Sequence, residues 1–290
     1  MSISAQQVKE LRDRSGVGMM DCKKALVESD GDIDKAFDYL RKSGVAKAQK
    51  KEGRDAKEGL IISDISSDGK FGTLLELNCE TDFVANTDDF KSLGNDIIKH
   101  IKKSEFSELD DILNENFIND KNKNLKDVIT DAVGRLGENI VLSRFCKYKV
   151  ESGLIVSYIH PGSKLGVLLK FNSDEVSDKE SLIDFGKEIS MHIAATAPIS
   201  VAVDDVSSEI IAKEREIFSD QAKKSGKPDN IIEKMVDGRI NKFYKENVLL
   251  EQVFVKDPSK MVKDLLSEKS NSFKSNLSIS EFSRFQIGEK

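Results

Sequence analysis

The residue types that make and break bonds are sparse in this chain, and none is spaced for the purpose. The histidines are His100, His160 and His192. None stands in an H-E-x-x-H pair that would hold zinc on one helix face, and no G-x-S-x-G elbow presents a serine. Gly162-Ser163-Lys164 lacks the upstream glycine and the following helix signal of a phosphate-binding loop, and Gly16-Val17-Gly18 reads as a helix break. Glu80 and Asp82 resemble paired carboxylates, but nothing around them suggests a cleft or a shifted pKa. Cys22, Cys79 and Cys146 are odd in number and far apart, without metal or redox spacing, so buried reduced thiols are expected. We therefore expect no enzyme, no cofactor and no metal site. What remains is recognition. The stretch Asn78 to Phe90, NCETDFVANTDDF, leaves an apolar run and places Asp82-Phe83 ahead of a helix. An exposed aromatic beside an acid can act by burying its ring in another protein.

The elements that hold this stretch follow from the patterning. The chain has 290 residues, 38% hydrophobic and 33% charged, with a net charge of −6. That supports a real core under a wet surface and argues against general nucleic-acid binding, which needs a basic footprint. The first residues carry no basic-then-apolar signal region, and no apolar run is long enough to span a membrane, so a cytoplasmic protein is expected. Ser4 with Gln7 forms a capping-box pattern ahead of Val8 and Leu11. A second helix is predicted from Met19 to Glu28 with Cys22, Ala25 and Leu26 inward. Asp32 caps a third, in which Ile33, Ala36, Phe37 and Leu40 make one stripe. Residues 1–45 thus read as a three-helix domain and residues 46–58 as a basic linker carrying Lys47, Lys50, Lys51, Arg54 and Lys57.

The remainder is duplicated. GLIISDI begins at Gly59 and GLIVSYI at Gly153, 94 residues on, and GTLLELN at Gly72 returns as GVLLKFN at Gly166 with the same offset. Leu93, Gly94 and Ile97 match Phe185, Gly186 and Ile189, and Ser143-Arg144-Phe145 echoes Ser283-Arg284-Phe285. Each copy reads strand, strand, helix, helix, strand, which gives an α+β core of two small antiparallel sheets covered by helices, residues 59–149 and 150–290. Between its matched Asn172 and the Ser283 echo the second copy is longer by 46 residues than the first is between Asn78 and Ser143, and an antiparallel helical hairpin over 207–247 accounts for nearly all of them. Its apolar stripe, with Ile210, Ile211, Ile217 and Phe218 facing Ile232, Val236, Ile240 and Phe243, is thin. We expect it to pack on a partner or self-associate, with a freestanding arm as the alternative. Gly226-Lys227-Pro228 is its turn.

The two copies differ where the recognition stretch lies. After Asn172 the second continues SDEVSDKESLIDF, a polar connection, whereas after Asn78 the first continues CETDFVANTDDF. Phe90, Leu93, Ile97 and Ile101 already fill the inward stripe of the next helix, so Phe83 and Val84 are additional. Phe83 either tucks into its own sheet, as most phenylalanines do, or stands out as an anchor. The asymmetry between the copies favours the anchor.

Leu11 to Gly44, LRDRSGVGMMDCKKALVESDGDIDKAFDYLRKSG, is similar to the amino-terminal signature of the elongation factor Ts family. NCETDFVAN, MHIAATAP and SGKPDNIIEKMVDGRI resemble that family's later motifs in the same order, so the resemblance runs from about Val8 to about Gly288. It implies an amino-terminal bundle of the ubiquitin-associated type, a core that binds the translational GTPase elongation factor Tu, and exchange of that partner's guanine nucleotide. Arg12, Met19 and Met20 stand at positions that touch the GTPase domain. Thr81, Asp82, Phe83 and Val84 match the segment that displaces the magnesium ion bound with GDP. His160 matches a residue reaching another domain of the partner, and the hairpin matches a protruding coiled coil. No direct nucleic-acid or membrane partner is implied. Members carry a further terminal helix; here the chain reaches Lys290 soon after its last strand, which leaves that extra contact unassigned.

Overall fold

The structure, a computed structural model, describes residues 3–224 and 228–289. Three helices open it: α1 (Ala5–Ser15), α2 (Met19–Glu28) and α3 (Ile33–Gln49). Ser4 caps α1 by accepting from the Gln7 N–H at 3.2 Å, and the Gln7 side chain accepts from the Ser4 N–H at 3.0 Å, closing a capping box. Gly16 ends the helix at φ 66°, a left-handed conformation that glycine adopts without a Cβ penalty. Asp32 caps α3 through the Asp34 and Lys35 N–H groups. Val8, Leu11, Cys22, Ala25, Leu26, Ala36 and Leu40 form the buried centre of the bundle, with Ile33 and Phe37 packed against it.

The first copy of the repeat follows. A hairpin of β1 (Glu58–Ile65) and β2 (Phe71–Cys79) leads to α4 (Asp82–Ala85), α5 (Asp88–Lys103) and α6 (Leu109–Asn114). A short ribbon, β3 (Asn116–Phe117) with β4 (Asp120–Asn124), precedes α7 (Leu125–Leu136) and β5 (Ile140–Lys149). The sheet order is β1-β2-β5. The second copy runs β6 (Gly153–Ile159), β7 (Leu165–Ser173), α8 (Lys179–Thr196), the inserted pair α9 (Ser208–Lys223) and α10 (Asp229–Asn247), the ribbon β8 (Val253–Phe254) and β9 (Asp257–Met261), α11 (Val262–Phe273) and β10 (Leu277–Gln286). Its sheet order is β10-β7-β6, with β6 and β7 antiparallel in register from Gly153↔Asn172 to Ile159↔Gly166.

The chain forms two compact units. One comprises residues up to Ile62, Thr73–Cys146 and the residues from Gln286; the other comprises Ser63–Gly72 and Lys147–Phe285. In the first, Leu75, Leu77, Phe90, Ile97 and Ile101 are buried between sheet and helices; in the second, Leu169, Phe171, Leu182, Ile189 and Ile193 do the same. The repeated glycines have a steric cause. A Cβ on Gly59 would lie 2.2 Å from the Leu77 carbonyl oxygen, and one on Gly153 would lie 2.0 Å from that of Phe171. Both residues also take a positive φ, 148° and 131°.

Two expectations are corrected. Residues 46–49 are the last turn of α3 rather than the start of a tether, because the Ala-Lys-Ala-Gln run favours helix. Ala48 is buried in the core of the first copy, and a Cβ on Gly134 would meet the Gly44 Cα at 2.8 Å, so α3 closes on α7. The echo of Ser143-Arg144-Phe145 in residues 283–285 is out of register by three. The burial patterns of β5 and β10 coincide when Ile140 is set against Leu277, which pairs Ser143 with Ser280. A shift of three would turn every side chain to the other face of the strand.

The corrected offset also pairs Phe117 with Phe254 and Glu115 with Gln252. Buried His100 then stands against Phe117 with ring centroids 5.3 Å apart, and buried His192 against Phe254 at 5.6 Å. The inserted hairpin buries Ala222, Ile232, Val236 and Ile240 between its own helices, with Phe218, Met235 and Tyr244 packed around them; Phe243 is not in this cluster. Its turn at Gly226-Lys227 lies outside the described residues. At its base Ser200 bridges Val248, and the Ile199 N–H donates to the Asn247 carbonyl at 2.8 Å.

Candidate functional site

The connection after β2 is not a loop but a single helical turn, and its two ends are both capped by threonine. Thr81, in extended backbone at φ −129° and ψ 155°, caps α4 and accepts from the Val84 N–H at 3.4 Å. Thr87 caps α5 by accepting from the Phe90 N–H at 3.3 Å, and its hydroxyl donates back to the Val84 carbonyl at 2.7 Å. Within the turn, successive side chains point about 100° apart. Ala85 is buried and Val84 packs against the core of the first copy, so Asp82 and Phe83 face out. Phe83 is 82% exposed, which excludes the reading in which it fills its own sheet.

Thr81 is itself held from the turn that leads into β5, the strand beside β2. Glu138 accepts from the Thr81 N–H at 2.9 Å with one carboxylate oxygen and from the Thr81 hydroxyl at 2.6 Å with the other. The neighbouring pair is bonded in the opposite sense. The Asn139 N–H donates to the Glu80 carboxylate at 2.7 Å, and the Asn139 amide donates to the Arg54 carbonyl at 2.8 Å. That backbone bond, helped by the charges of Arg54 and Lys51, holds the Glu80 carboxyl below the usual carboxylate range. Deeper in the sheet, Asn78 donates to the Glu58 carbonyl and to Glu76, and accepts from the Ser143 hydroxyl at 2.6 Å. Sequence patterning singled out Asp82, Phe83 and Val84, and the family resemblance added Thr81; neither reached Glu138 or Asn139.

Arg12, Met19 and Met20 lie on α1 and α2 of the amino-terminal bundle. Met20 is 78% exposed and Met19 is 49% exposed, so neither is core; Arg12 is exposed as well. Two thioethers at the surface make a soft, adaptable contact patch. His160 belongs to the other unit, at the exposed turn between β6 and β7, where its Nδ1 is 2.8 Å from the Tyr158 hydroxyl. The structure therefore gathers Thr81 to Val84 into one turn, places Arg12, Met19 and Met20 on the bundle, and leaves His160 on a separate surface.

Among the described residues no group of three or more His, Cys, Asp or Glu is placed to hold a metal ion. No helix among them is long and apolar enough to cross a membrane. A cavity of about 450 Å³ in the first unit is lined by Arg14, Phe37, Lys47, Asp131 and Arg135 and includes none of the Thr81 to Val84 turn. Cys22 and Cys79 are buried, Cys146 is half-buried, and none forms a disulfide.

Residues 80–289 match the family model described as Elongation factor TS. An Elongation factor Ts from Clostridium acetobutylicum is 47% identical over 287 residues, covering 99% of this chain and 93% of that protein. One from Aquifex aeolicus is 43% identical over 293 residues, covering 99% of each, and one from Clostridium botulinum is 44% identical over 287 residues, covering 99% of this chain and 93% of its own length.

Proposed function

The chain belongs to the elongation factor Ts family, and from that premise we propose that it is a guanine-nucleotide exchange factor for elongation factor Tu in translation elongation. It binds the GDP form of the GTPase, disturbs the magnesium and phosphate site, and promotes GDP release. The observation that carries this reading is Phe83, exposed on a turn whose backbone is fixed at both ends.

An exchange factor must bind the nucleotide-free partner better than the nucleotide-bound one. Burying a phenylalanine side chain is worth about 1.5–3 kcal/mol. If that burial is available only when two partner helices have moved apart, it favours the displaced arrangement by the same amount. Each 1.4 kcal/mol or so of such preference is roughly tenfold in nucleotide affinity. Asp82 contributes by hydrogen-bonding the partner or orienting the turn. One carboxylate is too weak a ligand to strip magnesium, which needs near-octahedral oxygen coordination. Met19, Met20 and Arg12 widen the contact on the GTPase domain, and His160 reaches a separate surface of the partner.

The test is Phe83→Ala, followed by stopped-flow release of a fluorescent GDP from elongation factor Tu. The stimulated rate at saturating factor should fall about tenfold or more, with the thermal transition of the factor unchanged. An unaltered rate in a normally folded variant refutes the wedge.

A further inference from the structure

We infer that Glu138 is a positioning residue for the exchange step: it holds the Thr81 cap, and through it the orientation of Phe83. This rests on the wedge reading of Phe83 given above.

The two copies supply the comparison. With the corrected offset, Ser275 occupies the place of Glu138, and Asn276 that of Asn139. In the second copy the Glu175 N–H donates to the Ser275 hydroxyl at 3.1 Å, and the Asn276 amide donates to Asp174 at 2.7 Å. The first of these reproduces the Thr81 N–H bond to Glu138, and the second joins the same pair of positions as Asn139 and Glu80, with the side-chain amide as donor where the first copy uses the backbone N–H. A neutral hydroxyl therefore suffices to hold that strand end where it leads only into a polar connection. The first copy places a carboxylate there, and its second oxygen takes the Thr81 hydroxyl as well. No helical turn follows in the second copy, whereas α4 follows in the first.

The extra bond has a directional effect. A threonine hydroxyl rotates freely until its proton is committed. Donation to Glu138 at 2.6 Å commits it, and a lone pair is left to accept the Val84 N–H. Glu138 thus fixes both the backbone and the side chain of the residue that starts the turn. Its own backbone is set by Gly137, which ends α7 at φ 80°, and by buried Asn139. Without the carboxylate, α4 keeps its buried Val84 and Ala85 side but samples other orientations of Phe83. The free factor is then competent only part of the time, and its apparent affinity drops by that fraction.

Glu138→Ser, which installs the group found in the second copy, should raise the half-saturating factor concentration for GDP release roughly tenfold. The plateau rate and the thermal transition should stay at the parent values. Glu138→Gln keeps an acceptor for the Thr81 N–H but puts an NH2 where the second oxygen accepts the Thr81 hydroxyl, so it should show much of the same loss; Thr81→Val, which removes the hydroxyl's bond to Glu138 and its cap on the Val84 N–H, should reproduce it. Parental half-saturation in both Glu138→Ser and Thr81→Val overturns the inference, as does a loss that tracks a lowered thermal transition in both. Phe83→Ala, run in parallel, separates the premises. If it lowers the plateau while Glu138→Ser is silent, the wedge stands and the positioning role falls. If Phe83→Ala is silent, the wedge falls first.

Discussion

Phe83 and Val84 are adjacent and meet opposite environments, because one step along a helical turn carries a side chain from solvent to core. Phe83 was legible in the sequence, since its duplicate had nothing comparable. Glu138 was not. It lies 57 residues from Thr81, any acid resembles any other in a polar turn, and the three-letter echo that aligned the carboxy-terminal strands hid its correspondence with Ser275. The duplicated histidines allow a prediction at this scale. Burial lowers the pKa of His100 and His192 from the ordinary 6.5, opposed by the Glu115 charge in the first and by the bond to Gln252 in the second. The Val255 N–H donates to His192 Nδ1, so Nε2 carries the proton that faces Gln252 at 2.8 Å, and a second proton on Nδ1 would meet that amide. A base with a depressed folded pKa is protonated more readily when unfolded. Stability is therefore full above about pH 6.5 and is lost as pH falls from there through the folded values. The melting temperature should decline across that interval, and NMR titration should show both rings charging below 6.5; a normal or raised pKa would contradict the assignment.

Elements with their own punctuation were readable in advance: the capping box at Ser4, the Asp32 cap, and the stripe of Phe90, Leu93, Ile97 and Ile101 all stand where the pattern put them. The ribbons were not. β3 and β8 are two residues long, and β4 reads Asp-Lys-Asn-Lys-Asn, so neither alternation nor apolar content marks them. The end of α3 was obscured because a lysine-rich surface looks alike on a helix and on a tether. The α9–α10 hairpin shows how an insertion is tolerated. Its own core is small, and its ends meet at the Ser200–Val248 bridge. Replacing residues 208–245 with a short Gly-Ser loop should leave exchange on isolated elongation factor Tu within about twofold of the parent, since the closure entropy of a loop changes slowly with its length. Stopped-flow release by the shortened protein checks this, and a collapse of exchange with the rest still folded would assign the hairpin to the active surface.

For the whole molecule the controlling relation is reciprocity. If the factor weakens GDP on its partner by some ratio, GDP must weaken the factor by the same ratio. Co-elution with elongation factor Tu should be strong without nucleotide and should fall as GDP is added. The ratio of the two factor affinities by calorimetry should equal the ratio of GDP affinities with and without factor. An affinity indifferent to GDP would remove the proposed function. Where Gly44 meets Gly134, α3 is seated on α7, and so Arg12, Met19 and Met20 ride with the unit that carries Phe83. A bundle on a slack tether would reach the GTPase as a second, separate encounter, at the effective concentration its tether permits. If the proposed contacts hold, the bundle seated as it is would arrive with the first encounter, and the two patches would grip as the prongs of one staple.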